Sequence, residues 1–332
     1  MRALVQEQFG EPSQVLSVKD VAKPRPGQGQ VLVRMLASPI NPSDLMMVRG
    51  VYSHQPQLPV TPGFEGVGVV EESGGGLIGW FQKGKRVAVA SQNAGCWAEY
   101  VVIPAKQAVP IPASLPLEQA ATAFVNPTTA YAMTRRVLNV LPHEWLLQTA
   151  AASVVGRMVI SLGEHYGFKT INVVRRREQK QELLDLGADA VIATDEEDLA
   201  KAVMRITSDY GVRCALDPVG GETGTSVAKC LAHGGRMLVY GSLSFQPTCF
   251  QPRDLITNGA KIESFALARF MQPLSLIQKL GVIRAVNGLT ESGVLRSPEG
   301  KKFPLEGVKE AVADAERSGR GGKTLLVVSE TA

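Results

Sequence analysis

The chain has 332 residues, 35 Lys and Arg against 31 Asp and Glu for a formal charge of +4, and is 45% hydrophobic and 20% charged. At roughly 150 residues per domain this length predicts two domains, each able to bury its own core, and the near-balanced charge with recurrent Val, Leu and Ile excludes disorder. No apolar run approaches the roughly 18 residues that cross a bilayer, and residues 1–10 carry charge and turn residues where a secretory signal needs an apolar stretch. A cytoplasmic protein with no membrane partner is therefore expected.

From residue 1 to about 116, short β-like runs at 31–36, 66–71, 86–90 and 98–103 are separated by Pro and Gly clusters such as KPRPGQGQ and ESGGG. That pattern predicts a mostly antiparallel, barrel-like β domain over 1–116. Pro104, Pro110, Pro112 and Pro116 mark its end. After Leu117 strands and helices alternate: a strand at 145–148, a helix at 154–165, a strand at 170–174, and a helix at 178–186 stopped by Gly187. The series continues through 190–192, 199–207, 213–216, 223–232 and 237–240. Near-continuous apolar strands in strict alternation with helices predict a doubly wound α/β domain over 117–264, its parallel sheet covered on both faces. That sheet is complete near 264. The tail, 265–332, with a helix at 309–317 and a closing strand at 324–328, is expected to return to the β domain.

Cys96, Cys214, Cys230 and Cys249 lie far apart, with no CxxC pair and no nearby His, so neither a disulfide scaffold nor a zinc site is expected. The pI near 8.8 is mildly basic. Because Lys and Arg are spread along the chain, nucleic acid is disfavoured and an anionic small molecule preferred. His54, His143, His165 and His233 are isolated in sequence and read as surface or packing residues.

In a doubly wound sheet the ligand lies beyond the carboxyl ends of the strands, where a helix N-terminus offers free N–H groups to phosphate. TAAASVVG, 149–156, joins the first strand of this domain to its helix through small residues, and only Gly156 survives from the GxGxxG pattern. About 20 residues on, a site preferring NAD would place an acid against the ribose 2′-hydroxyl. Here 170–174 ends in Arg175, Arg176 and Arg177, with Glu178 placed to cap the helix that follows. Guanidinium groups pair with a phosphate dianion in bidentate fashion, so NADPH is expected rather than NADH.

Six segments carry a resemblance: SPINPSDLMMVRGVY (38–52), PGFEGVGVV (62–70), FVNPTTAY (124–131), INVVRRR (171–177), DPVGG (217–221) and VYG (239–241). Together they resemble the medium-chain dehydrogenase/reductase superfamily over nearly the whole chain. The branch resembled is zinc-free and holds the mitochondrial-type 2-enoyl thioester reductases and the quinone oxidoreductases. The resemblance implies a GroES-like catalytic domain and a Rossmann cofactor domain. Zinc alcohol dehydrogenases of this superfamily use a Cys near position 40 and a His before the Glu of a GHE motif, where this chain has Ile40, Asn41 and Phe64 before Glu65. Metal-assisted alcohol oxidation is not expected.

In the enoyl thioester reductases an NPSD segment is followed by a GxY whose tyrosine donates a proton, and Gly50, Val51 and Tyr52 stand there. Tyr52 is the candidate catalytic acid, with 54–60 the mouth of a cleft. The resemblance further implies that Asn126 meets the nicotinamide side of the cofactor and that Ala152, Ser153, Val154 and Val155 wrap its pyrophosphate. Tyr240, Gly241, Ser242 and Leu243 would line the nicotinamide ribose. Phe265, Ala266, Leu267 and Lys323 match later cofactor-contacting positions. Two departures stand out: Val154 replaces a glycine of the family turn, and Ala266 a tryptophan. Ser153 lacks a GxSxG elbow, which argues against a hydrolase, and Asp217 before Pro218 reads as a turn-ordering residue.

The function implied is NADPH-dependent reduction of the activated C=C bond of 2-enoyl thioesters or related enones. The alternatives are an NADPH:quinone oxidoreductase and an NADPH-binding structural or regulatory protein. A homodimer formed by edge strands of the cofactor domains is also implied, with SFQPTCFQP after Ser242 shaping that edge.

Overall fold

The chain enters with an antiparallel strand pair, β1 (Arg2–Gln6) against β2 (Leu16–Asp20). The computed structural model describes residues 1–332 except Ser53, His54, 92–94, Ala113, Ser318, Arg320 and 330–332. β3 (Gln30–Pro39) pairs antiparallel with both β4 (Glu65–Ser73) and β6 (Tyr100–Pro104). β4 continues to β5 (Arg86–Ala90) and β5 to β7 (Ala108–Pro110), so every expected β run of the first third is a strand. Their apolar residues converge, with Val31, Val33, Met35, Val87, Val89 and Ile103 in one core cluster.

The middle of the chain supplies β8 (Trp145–Gln148), β9 (Lys169–Val174), β10 (Ala190–Ala193), β11 (Val212–Asp217), β12 (Leu231–Val239) and β13 (Lys261–Ser264). They form one parallel sheet in the order β10-β9-β8-β11-β12-β13. The chain winds outward from β8 to β10, then restarts beside β8 with β11, which puts the topological switch point between those two strands. Adjacent strand residues sort into opposite cores. Leu146, Leu216 and Leu238 join the cluster of Met158, Val159 and Leu162, whereas Leu147, Ala215 and Met237 join Leu199, Val203 and Val227. Burial on both faces is what made these strands continuous apolar runs.

The tail closes the β sheet: β14 (Glu299–Pro304) lies parallel to β15 (Lys323–Val327), and β15 pairs antiparallel with β3 through Leu326 and Ser38. The helix Val308–Glu316 buries Val308, Ala311 and Val312 in the cluster that holds Leu4, Met47 and Trp97.

Two compact units result, 1–125 with 296–332, and 126–295. These limits differ from the expected 116 and 264 for physical reasons. Helix Leu117–Ala121 is tied to the tail, since Gln119 donates to Ser297 O at 2.7 Å and accepts from Ser297 N at 3.0 Å. Helix Leu276–Glu291 sends Val282, Val286 and Leu289 into the core under the parallel sheet. The helix expected over 223–232 ends earlier, as Gly221–Lys229, because Leu231 already pairs with Val212 and a register shift absorbs the His233–Gly235 stretch. The helix expected over 178–186 is a 3-10 turn, Arg177–Gln179, followed by Lys180–Asp185, with Gly187 at φ 98° beyond it. Among the described residues no helix is long and apolar enough to cross a membrane.

Candidate active site

In the unit 126–295, β8 and β11 end side by side at Gln148 and Asp217. Thr149 Oγ1 donates to Asp217 Oδ1 across the switch point. The same carboxylate accepts from Val219 N at 3.0 Å and Gly220 N at 2.9 Å, so Asp217 is saturated and orders the turn after its strand. The turn after β8 bends at Ala150, which takes φ 50° without being glycine. Ser153 then caps the helix Val154–Tyr166, its Oγ accepting from Gly156 N at 3.1 Å. A helix start leaves N–H groups unpaired, and Val154 and Val155 hold that position. Gln148 Nε2 donates to Gly156 O at 2.9 Å and to Asn172 Oδ1 at 2.7 Å, tying this first turn to β8 and β9.

Gly156 is required by space. A Cβ there would lie 2.4 Å from Ala151 O and 2.7 Å from Ala151 Cα, both backbone atoms. The Gly156→Ala variant is expected to lose about 1–3 kcal/mol of stability by overpacking, read as a lowered midpoint in urea unfolding. An unchanged midpoint would show that the helix shifts freely.

Arg175, Arg176 and Arg177 follow β9 and are exposed. Arg177 N donates to Asp195 Oδ2 at 3.3 Å, and its guanidinium lies 3.6 Å from Glu178. Glu178 therefore pairs with Arg177 instead of capping a helix, because the chain makes a 3-10 turn where the α-helix was expected.

Four buried polar groups of this unit have no partner among the described residues: Asn126 Nδ2, Thr128 Oγ1, Gln148 Oε1 and the Tyr240 hydroxyl. Burial, and secondarily the charge of Asp217, push the Tyr240 hydroxyl well above its ordinary pKa. Tyr240 N donates to Asp217 O at 3.0 Å, Leu243 N to Pro218 O at 3.0 Å and Ser244 N to Val219 O at 2.9 Å, so 240–244 runs along the 217–219 turn. Gly241 is half-buried, while Ser242 and Leu243 are exposed. Phe265 is buried against Phe270 at 5.9 Å, and exposed Ala266 precedes the helix Leu267–Met271. A small-residue turn at a helix start, a guanidinium trio one strand away and buried groups awaiting partners fit a phosphorylated dinucleotide.

The unit 1–125 with 296–332 holds Tyr52. Helix Pro42–Arg49 starts after Asn41 and ends at Gly50, whose φ of 79° turns the chain out so that Tyr52 follows at once. Tyr52 is half-buried with its ring 5.4 Å from that of Phe64. Burial first, and then the charge of Asp44, raise its pKa, so the hydroxyl is neutral and protonated at pH 7. His54 and the start of the 54–60 stretch lie outside the described residues.

The same unit holds two buried carboxyl groups, Asp44 and Glu65. Asp44 accepts from Asn41 N at 2.7 Å and from Phe64 N at 2.9 Å. Glu65 accepts from Phe124 N at 3.1 Å, Val125 N at 2.6 Å and Asn41 Nδ2 at 3.3 Å. Lys323, expected beside the cofactor, is buried in this unit at 4% exposure, where its charge favours both carboxylates. Desolvation outweighs that favour and pushes Asp44 up to about 6 and Glu65 up to about 7. Neither acid was among the expected site residues, although a legible signal existed for Asp44. Asn41-Pro42-Ser43-Asp44 has the spacing of a helix start with Pro at its first position.

The buried acids make a pH prediction. Their folded pKa values lie above their ordinary values of 3.8 and 4.5, so between about pH 4 and 7 the folded chain binds more protons than the unfolded one and stability falls as pH rises. Glu65→Gln keeps an acceptor for the two N–H groups and can donate to Asn41 Oδ1, which has no partner, once the Asn41 amide turns over. The variant should therefore lose less stability between about pH 5 and 8 than the parent chain. Equal losses in thermal unfolding would refute the assignment.

Two family models match the chain: alcohol dehydrogenase GroES-like domain over 27–113 and zinc-binding dehydrogenase over 154–281. The mitochondrial enoyl-[acyl-carrier-protein] reductase of Xenopus tropicalis is 36% identical over 98% of this chain and 95% of that protein. The crystal structure of Escherichia coli quinone oxidoreductase complexed with NADPH superposes with a TM-score of 0.90 at 27% identity, covering 98% of this chain and all of the other. The Etr1p/NADP/crotonyl-CoA complex does so with a TM-score of 0.84 at 25% identity, covering 98% of this chain and 99% of the other. The mitochondrial name of the Xenopus relative, which recurs in Homo sapiens and Caenorhabditis elegans, overturns the expectation of a cytoplasmic protein. Both family models, the similarity along nearly the full length and the shared two-unit architecture lead to one conclusion: the chain belongs to the medium-chain dehydrogenase/reductase superfamily.

Proposed function

We propose that this chain is an NADPH-dependent reductase of the activated C=C bond of 2-enoyl thioesters or related enones. The observation that carries the reading is Tyr52, a half-buried tyrosine braced on Phe64 whose pKa burial raises further above neutrality. Bound NADPH supplies a hydride to the β carbon, leaving an enolate on the carbonyl side. The Tyr52 hydroxyl then gives its proton to the α carbon, and the resulting phenolate recovers a proton from solvent. Arg175, Arg176 and Arg177 hold the 2′-phosphate, while Ala152, Ser153, Val154 and Val155 receive the pyrophosphate at the helix start. The unpartnered Asn126 amide and the Tyr240 hydroxyl face the nicotinamide half, with Gly241, Ser242, Leu243, Phe265, Ala266 and Leu267 around it. Lys323 acts through Asp44 and Glu65, whose charge it offsets.

A second reading, quinone reduction, is supported by the likeness to the Escherichia coli quinone oxidoreductase. A quinone carries its reduced charge without a positioned acid. Turnover of crotonyl-CoA and of a naphthoquinone with NADPH separates the two. Crotonyl-CoA should be the faster substrate, and the reverse order favours the quinone reading. Tight NADPH binding with no turnover of either would indicate a structural or regulatory role.

The chain is further proposed to be a homodimer. β13 is an open edge of the parallel sheet, and Phe245, Phe250 and Ile256 before it are exposed at 60, 43 and 79%. Sedimentation equilibrium showing only monomer would refute it.

A further inference from the structure

The helix Leu77–Gln82 is built inside out. At about 100° per residue, Gly79 and Gln82 share the face turned to the β sheet, Leu77, Trp80 and Phe81 share the opposite one, and Ile78 lies on the flank beside Gln82. A Cβ at Gly79 would lie 2.5 Å from Ser73 Oγ and 3.1 Å from Val31 Cγ1, so only glycine lets the helix sit this close. Buried Gln82 donates Nε2 to Ala108 O at 2.6 Å. The helix is thus clamped through its smallest and its most polar residues. Its four apolar side chains are 78, 55, 68 and 60% exposed, with the Trp80 and Phe81 rings edge to face at 4.9 Å. A surface helix ordinarily buries its apolar stripe, and a contiguous exposed apolar patch marks an interaction site.

The charges around the patch indicate what covers it. From Gly74 to Ala98 the chain carries Lys83, Lys85 and Arg86 and no acidic residue. Lys83, Lys85 and Lys106 are exposed. Two acids precede the helix on β4: Glu71, engaged by Lys23 at 2.6 Å and Arg34 at 3.8 Å, and exposed Glu72, five residues before it. Large exposed apolar and aromatic side chains on one helix, with exposed lysines directly after it in sequence, match an interfacial helix on anionic lipid. There the rings enter the headgroup boundary and the ammonium groups meet lipid phosphate. We propose that 77–82 is a membrane-surface anchor that docks this protein on an anionic bilayer. The expectation of no membrane partner rested on the lack of a spanning segment, and an interfacial helix needs none.

The test mixes the full chain with vesicles of phosphatidylcholine alone, or of phosphatidylcholine with phosphatidylglycerol, and sediments them. The protein should be retained by the anionic vesicles and hardly by the neutral ones. Its tryptophan emission should move to the blue on binding, a shift owed to Trp80, since Trp97 is fully buried and Trp145 is half-buried under Lys169 at the start of β8. W80S/F81S should abolish both effects, and K83E/K85E should abolish the preference for anionic lipid. Both variants should keep the NADPH-dependent turnover of the parent in solution. No retention on either vesicle overturns the proposal, as does retention that survives W80S/F81S. Loss of a self-associated form in W80S/F81S, without any vesicle binding by the parent, would instead assign the patch to a second copy of the chain.

Discussion

Tyr52→Phe is expected to slow NADPH consumption with crotonyl-CoA by about 10²–10⁴-fold, the range supplied by a positioned general acid. The substitution removes one oxygen and leaves the ring on Phe64, 5.4 Å away by centroids, so the fold and the affinity for NADPH should be unchanged. The effect should fall on kcat more than on KM, because the hydroxyl matters when the enolate takes its proton and not when the substrate is first bound. With a naphthoquinone the same variant should stay close to the parent. Near-full activity on crotonyl-CoA would end the assignment of Tyr52 as the acid.

Replacing Arg175, Arg176 and Arg177 together by Ala should weaken NADPH binding at least about 100-fold and leave NADH within a few-fold. Charge-assisted hydrogen bonds are worth about 1.5–3 kcal/mol each, and about 1.4 kcal/mol is tenfold in affinity. The side chains are exposed, and the bond that holds the turn, Arg177 N to Asp195, belongs to the backbone and survives the change. Calorimetry of both dinucleotides on both proteins decides it. A parent chain that binds NADH as tightly as NADPH would remove the basis of the cofactor assignment.

Much of the architecture was legible because it follows from local rules. Apolar runs bounded by Gly and Pro gave strands at 86–90 and 145–148 with the observed limits, and the alternation after Leu117 gave a parallel sheet. Helix Leu276–Glu291 was not legible, because apolar residues fall on both its exposed and its buried sides: Leu276, Ile277 and Leu280 are exposed while Val282, Val286 and Leu289 are buried. The first half of β12 was hidden by His233, Gly234 and Gly235, which strand propensity disfavours and parallel pairing with β11 overrides.

Where the arginine trio and Tyr52 fall in the fold was legible because each follows an element end. The Asp44, Glu65 and Lys323 cluster was not, since it joins a helix start, a strand start and the final strand. Sequence distance carries no trace of such a meeting. The one local hint at Glu65 is an acid set in an otherwise apolar run, PGFEGVGVV.

Ala150 has the last consequence. With φ at 50°, it holds a left-handed bend that glycine would adopt without strain. Alanine there is strained, and the bend is held by its neighbours: Ala151 N donates to Val173 O at 3.1 Å and Ser153 N to Ala150 O at 2.9 Å. That strained bend sets the direction in which the chain enters the helix cap at Ser153, three residues on.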